Sequence, residues 1–214
     1  MTEHPDPWPL RHLVLRTPRL ELRPDDDAGV VELVDLAHDG IHDPSWTPFL
    51  HPWTDAPAAE LGPNTLRYFW SQRAALTPER WSVNFLIRVD GRVVGTQELA
   101  GRNFATTGEV VSGSWLGRAH QGQGLGTEMR AAVLLLAFDH LGARTARSEA
   151  FVDNPASLRV SRKLGYAADG TNTQLRRGKA VVEQRVLLTP TSFVRPTWQM
   201  QVDGLDSCRH QLGV

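Results

Sequence analysis

Three glycines fall within five residues in Gln121-Gly122-Gln123-Gly124-Leu125-Gly126, directly ahead of a helical pattern that opens at Thr127. Glycines let a backbone approach a ligand with no side chain between its amides and an anion. A helix N-terminus adds unpaired N–H groups and the positive end of the peptide dipole. Together they make a pyrophosphate cradle that needs no lysine. The spacing is not the G-x-G-x-x-G of a dinucleotide turn, and no Gly-Lys-Ser/Thr closes it as in a nucleoside-triphosphate loop.

Other residues could do chemistry singly. Glu98, Glu109 and Glu149 lie in strand-like segments, and a carboxylate can take up a proton. His38 and His42 are four apart, a metal-ligand spacing on a helix. Gly40 between them and Pro44 after them argue against a continuous helix, so no metal is expected. Cys208 is the only cysteine, which excludes an internal disulfide framework and a cysteine-rich zinc site.

The elements that must position these residues follow from periodicity. A first strand is expected over Val14–Arg23, where Leu20 and Leu22 alternate with Arg19, Glu21 and Arg23. Asp25–Asp27 can cap a helix carrying Val30, Leu33, Val34 and Ala37. Residues 39–63 hold five prolines with Trp46, Phe49 and Trp53, which reads as a long aromatic loop. A second helix is expected from Asn64, with Leu66, Phe69 and Trp70 on one side. From Trp81 the period becomes two, and Asp90-Gly91 signals a hairpin back through Arg92–Ala100. Val110–Leu116 is a further strand and Thr127–Leu141 a strong helix. Thr145–Val152 is a strand, Pro155–Leu164 a helix stopped by Gly165, and Tyr166–Leu175 with Val181–Thr189 a closing hairpin. The order β-α-α-β-β-β-α-β-α-β-β predicts an α/β fold, a mixed sheet with helices on its faces. Residues 1–13 form an arm, 14–189 the domain, and 190–214 an extension that packs on the body or on a partner chain.

Composition sets limits. Hydrophobic residues make up 41% and charged residues 22%, an ordinary globular balance. With 23 Lys+Arg against 24 Asp+Glu, no global field recruits nucleic acid or an anionic membrane. The longest apolar run, Ala131–Phe138, is too short to span a bilayer, and Met1–Arg11 has no signal-peptide core. A soluble, cytoplasmic protein is expected.

The cradle segment resembles the Q/R-x-x-G-x-G/A coenzyme A motif of GNAT acyltransferases. Ser114-Trp115-Leu116 is similar to the strand end that precedes it there. Asn154-Pro155-Ala156-Ser157 and Lys163-Leu164-Gly165-Tyr166 resemble the family's downstream elements. Thr17-Pro18-Arg19-Leu20-Glu21-Leu22-Arg23-Pro24 resembles the opening of its RimJ/RimL-like branch. A narrower resemblance, to an actinobacterial subgroup that includes a mycobacterial succinyltransferase, is carried by Gly40-Ile41-His42-Asp43-Pro44, Pro48-Phe49, Pro52-Trp53-Thr54 and Val202-Asp203-Gly204-Leu205-Asp206.

The resemblance implies a GNAT fold, mostly antiparallel, splayed between the strand ending at Leu116 and the strand Thr145–Val152. It implies an acetyl-CoA or succinyl-CoA donor, an amine acceptor (small molecule, protein N-terminus or lysine), and direct transfer in a ternary complex. Oligomerisation stays open. The implied donor site comprises Trp115, Leu116, Gln121, Gly122, Gln123, Gly124, Leu125, Gly126, Thr127, Asn154, Ser157 and Arg162. A backbone N–H near Trp115 or Leu116 would polarise the thioester carbonyl, and Gly113 is either a bulge that aims it or ordinary twist relief. Glu98 or Glu109, with Glu149 as a third choice, would deprotonate the amine. Ser157 would reach the sulfur, and Asn154 either joins it or caps its helix. Arg118, Arg162 and Lys163 contact the ribose phosphate or are solvated, and His120 contacts phosphate or is exposed. The Trp46–Trp53 loop walls the acceptor cleft or covers the sheet. A succinyl carboxylate would need a cation, for which His42, Arg102 and Arg176 are candidates. The competing reading is a non-catalytic acyl-CoA-binding module.

Overall fold

The computed structural model describes residues 4–214. Its strands are β1 (Val14–Arg16), β2 (Glu21–Pro24), β3 (Arg80–Val89), β4 (Arg92–Arg102), β5 (Glu109–Leu116), β6 (Thr145–Phe151), β7 (Ala167–Arg176), β8 (Lys179–Leu188) and β9 (Gln201–Asp203). Its helices are α1 (Asp27–His38), α2 (Ala58–Ala74), the one-turn α3 (Phe104–Thr107), α4 (Leu125–Leu135), α5 (Pro155–Lys163) and the one-turn α6 (Leu205–Cys208). The strands form one sheet in the order β7-β8-β6-β5-β4-β3-β2-β1-β9. Among the described residues only β5 and β6 run parallel; every other neighbouring pair is antiparallel.

Alternation along β3 assigns the helices to faces. Phe85 and Ile87 join the main core with Met129, Ala132 and Val133 of α4. Leu86, between them, packs with Val30 and Leu33 of α1 and Phe69 of α2. Thus α1 and α2 cover one face and α4 the other. Asp26 starts α1 by accepting the Gly29 N–H at 2.7 Å, an N-cap bond.

Four expectations need correction. Val14–Arg23 is a hairpin rather than one strand: Pro18 has no N–H for a ladder, and the chain turns where the Thr17 N–H meets the Leu20 carbonyl at 2.9 Å. The second helix begins at Ala58, so Pro63 lies inside it. Pro63 and Ala59 are both exposed, so water can take the carbonyl that the proline leaves unpaired. Trp70 faces outward, and its indole N–H donates to Asp27 at 3.0 Å. The long helix leaves α geometry at Leu136, where a π-helical turn runs to His140.

The extension packs on the body. β9 pairs with β1, and Leu205, Cys208 and Leu212 join the main core, as do Leu10 and Leu13 of the arm. Residues 1–3 of the arm lie outside the described residues. Among the described residues no helix is long and apolar enough to cross a membrane.

Candidate functional site

β5 and β6 pair only over Glu109↔Thr145, Val110↔Ala146 and Val111↔Arg147. Beyond Val111 they diverge, and at the crotch the Ser148 hydroxyl donates to the Ser112 carbonyl at 3.0 Å. The Gly117 N–H bonds to the Val94 carbonyl of β4 at 3.0 Å. By strand alternation, Gly113 and Trp115 then turn their main-chain groups to β4, whereas Ser114 and Leu116 turn theirs to the gap. Gln121 occupies the Leu116 carbonyl through its side-chain amide at 2.8 Å, while the same nitrogen holds the Ile41 carbonyl at 2.8 Å.

The gap joins two cavities on opposite faces of the sheet. The lobe on the α4/α5 face encloses about 710 Å³ and the lobe on the α2 face about 590 Å³. Ser114, Trp115, Arg130, Asn154 and Ser157 line both.

On the α4 face the floor is the glycine loop. Gly122 and Gly124 have φ of +75° and +82°, conformations that favour glycine. Among the described residues no protein acceptor takes the N–H of Gly122, Gln123, Gly124, Leu125 or Gly126. Five consecutive free amides at a helix N-terminus fit a pyrophosphate. The opening hairpin braces this loop: Arg19 donates to the Gln123 carbonyl at 3.0 Å and to the buried carboxylate of Glu128 at 2.7 Å. Gln121, Gly122, Gly124, Gly126, Thr127, Trp115, Leu116, Asn154 and Ser157 line this lobe, with Arg159 and Lys163. Gln123 and Leu125 do not: the Gln123 side chain donates to the Ala119 carbonyl, and Leu125 is buried in the core. Arg118, His120 and Arg162 lie outside it. Asn154 caps α5 by accepting the Ser157 N–H at 3.2 Å.

On the α2 face, Glu98 lines the cavity and accepts the Ser82 hydroxyl at 2.6 Å. Gly113 pairs with Glu98 in unbroken register, so it is not a bulge. A Cβ there would stand 3.3 Å from the Glu98 carboxylate, so the glycine makes room for that group. Glu149 lines the same lobe beside the buried Glu183. Burial, and then the neighbouring Glu183, push the Glu149 pKa above the usual carboxylate range. Tyr68 also lines the lobe; burial, with Glu98 and Asp25 nearby, pushes its phenol up to about 12.

Glu109 shares the face of Gly113 but stands at the closed end of the gap. Its carboxylate accepts from Arg147 at 2.7 Å, and it lines neither lobe. Cys208 is also remote, and burial pushes its thiol up to about 11. The aromatic loop walls both lobes, with Phe49, Trp53 and Trp115 packed in tilted pairs at 5.3 and 5.6 Å between ring centres. Two arginines at the β7–β8 turn pin it: Arg176 to the Thr47 carbonyl at 2.9 Å, and Arg177 to the Pro44 carbonyl at 3.1 Å and Asp55 at 2.8 Å.

None of the three expected cations is free in the lobe on the α2 face. Arg176 is paired with Asp153, and Arg102 lines neither lobe. His42 lines the lobe on the α4 face and bonds to Thr54 at 2.8 Å. Arg130 is the cation that sequence reasoning missed. Its signal was a charge within the otherwise apolar stripe of the α4 helix.

The sequence matches the acetyltransferase (GNAT) domain over residues 19–167. Solved structures with the same fold include the RimL ribosomal L7/L12 α-N-protein acetyltransferase in complex with coenzyme A. It is 20% identical, with a TM-score of 0.64 over 80% of this chain and 94% of that one. A GCN5-related N-acetyltransferase from Brucella melitensis is 20% identical, with a TM-score of 0.68 over 89% of this chain and 84% of its own. A spermidine N-acetyltransferase chimera from Vibrio cholerae and hSSAT is 13% identical, with a TM-score of 0.63 over 83% of this chain and 99% of that one. At these identities the likeness is one of fold. The domain match, the split sheet and the free-amide cradle lead to one conclusion: this chain belongs to the GNAT acetyltransferase family.

Proposed function

We propose that the protein transfers an acyl group, acetyl or succinyl, from a coenzyme A thioester directly to a primary amine. The observation that carries this reading is the gap between β5 and β6, which opens the amide cradle on one face to a carboxylate-bearing lobe on the other. The donor's pyrophosphate rests on the Gly122–Gly126 amides, and its thioester lies in the gap. The Leu116 N–H, turned to the gap, stabilises the oxyanion that forms at the carbonyl.

The acceptor enters from the α2 face. An ammonium has no lone pair, so it must first lose a proton, directly or through water. Glu98 takes it. Supporting this choice are the Ser82 hydroxyl that orients the carboxylate and the bare Cα of Gly113 beside it. The amine nitrogen then bonds to the thioester carbon, the C–S bond breaks, and the proton shed by the acylated nitrogen passes through the Ser157 hydroxyl to the departing thiolate. Glu149 and Glu183 give the same lobe a negative field that draws a cationic amine inward.

Release of free thiol, followed against a panel of peptide N-termini, lysine and polyamines, tests the reading. Amine-dependent release that collapses in Glu98→Gln is the expected result. Tight acyl-CoA binding with no amine-dependent release would replace it with a non-catalytic binding module.

A further inference from the structure

The wall common to both lobes is made of Ser114, Trp115, Arg130, Asn154 and Ser157, and among these Arg130 alone carries a charge. Its residue is only 4% exposed. The guanidinium donates to the Ser161 hydroxyl of α5 at 3.1 Å and, weakly, to the Ser114 hydroxyl of β5 at 3.3 Å. Its Nε has no acceptor among the described residues. No carboxylate acts on it; the one ionisable neighbour is the Tyr166 phenol, whose own pKa is raised by burial and which is therefore neutral. A guanidinium keeps its charge even when buried. Hydroxyls hold such a cation in place without neutralising it, which is costly unless negative charge arrives from elsewhere.

The position of the fork says where that charge arises. Arg130 stands four residues past Gly126 on α4, about 6 Å of helix rise beyond the glycine loop. Its bonds run to β5 and α5 rather than to that loop. The fork therefore bridges the strand that carries the Leu116 N–H to the helix that carries Ser157. Ser161 itself donates to the Ser157 carbonyl at 3.2 Å, one turn away. Acyl transfer through the gap builds negative charge at two atoms. The carbonyl oxygen has a backbone donor. The sulfur, which takes the electron pair of the C–S bond, stays negative until a proton reaches it, and Arg130 is the cation in the wall around it.

We propose that Arg130 is a catalytic residue whose guanidinium stabilises the coenzyme A sulfur as a thiolate while the C–S bond breaks. This rests on the acyl-transfer reading of the cleft. The electron pair of the C–S bond passes to sulfur, and the new charge faces the guanidinium. The proton shed by the acylated nitrogen arrives afterwards through Ser157, and Arg130 gives up no proton of its own. A fixed carboxylate beside Arg130 would cancel this field, so partners that are neutral hydroxyls suit the role. A preorganised charge in a site poor in water acts most strongly on charge that develops in the transition state.

The thiol of bound coenzyme A reports the effect directly. Its titration on the intact protein is followed by the ultraviolet absorbance of the thiolate, with desulfo-coenzyme A on the same protein as the blank that cancels the tyrosines. Beside Arg130 the bound thiol should ionise at a pH about 1–3 below that of free coenzyme A in the same buffer. Arg130→Met, similar in shape but apolar, should remove most of that difference. The single-turnover rate of acyl transfer to the best amine should fall with it, about tenfold to a hundredfold. Arg130→Lys should keep part of both. A bound thiol that ionises where the free thiol does would overturn the proposal and leave acyl transfer standing. A lowered value that survives in Arg130→Met, or an unchanged rate there, would overturn it too. Failure of coenzyme A to bind the wild-type protein would instead remove the acyl-transfer reading beneath it. Should Arg130→Met not fold, the wild-type titration and its partial return in Arg130→Lys decide the matter.

Discussion

The two faces of the cleft are built from different materials. On the α4 face the lining is backbone: five free amides in a loop whose left-handed glycines set its shape. On the α2 face the lining is side chains, Glu98, Glu149, Tyr68 and the aromatic wall, delivered by separate elements. A backbone site tolerates changes of side chain but not of conformation. The side-chain site has the opposite weakness, and substitutions can exploit the difference.

The largest effect should come from the side-chain face. Glu98→Gln keeps shape and removes the proton acceptor, so the rate should fall about 10²–10⁴-fold. Donor affinity, measured by calorimetry, should stay within a few-fold. Glu149→Gln should cost the rate much less; an equal or greater loss would move the base to Glu149.

On the backbone face, Gly124→Asp places a carboxylate beside the phosphates and forces a side chain into the left-handed region, at about 1–2 kcal/mol of strain. Coenzyme A affinity should drop at least about tenfold. A folded variant with unchanged affinity would mean that the loop does not hold the donor.

Gly113→Ala asks whether the two faces are coupled through the strand they share. The added methyl would stand 3.3 Å from the Glu98 carboxylate and press on it. A few-fold loss in rate with unchanged donor affinity is expected, whereas a matching loss in coenzyme A binding would show that β5 transmits the disturbance across the sheet.

The smallest effect on rate, but a visible one on stability, concerns the base of the side-chain face. Asp25, before α1, is paired with Arg73 of α2 at 3.0 Å, yet burial pushes its pKa up to about 7. A carboxyl whose folded pKa is raised adds stability below its unfolded value, near 4, and loses it as pH rises through 7. The thermal midpoint should therefore decline between pH 4 and 7. Asp25→Asn should flatten that decline and gain stability on the order of 1–2 kcal/mol at pH 8, after allowing for the unpaired Arg73. An unaltered profile would mean that Arg73 already offsets the burial.

The contrast also explains what could be read from the sequence. The cradle was legible because everything it needs is local: glycine positions, a strand end and a helix start within one short segment. The alternation of β3 and β4 was legible for the same reason. Glu98 and Glu109 were not separable. Both are strand carboxylates, and what distinguishes them is the residue at which β6 leaves β5, a tertiary event with no local signature. The strand within the extension escaped notice because three residues, Gln201–Asp203, are too few to show a period, and β9 exists through its pairing with β1. Arg130 was hidden by its helix, where a single charge in an apolar stripe reads as a surface residue until α5 and β5 close over it.

The split between β5 and β6 is a hole with a mouth on each side of a wall. On the proposed reading, substrates that approach through different doors need not queue, and each product can leave by the door its parent used. Free thiol can be exchanged for fresh thioester on one side while a modified amine is still departing on the other. A donor tethered through its nucleotide end to a bead should therefore remain usable, because the bead stays on the α4 side and never obstructs the amine.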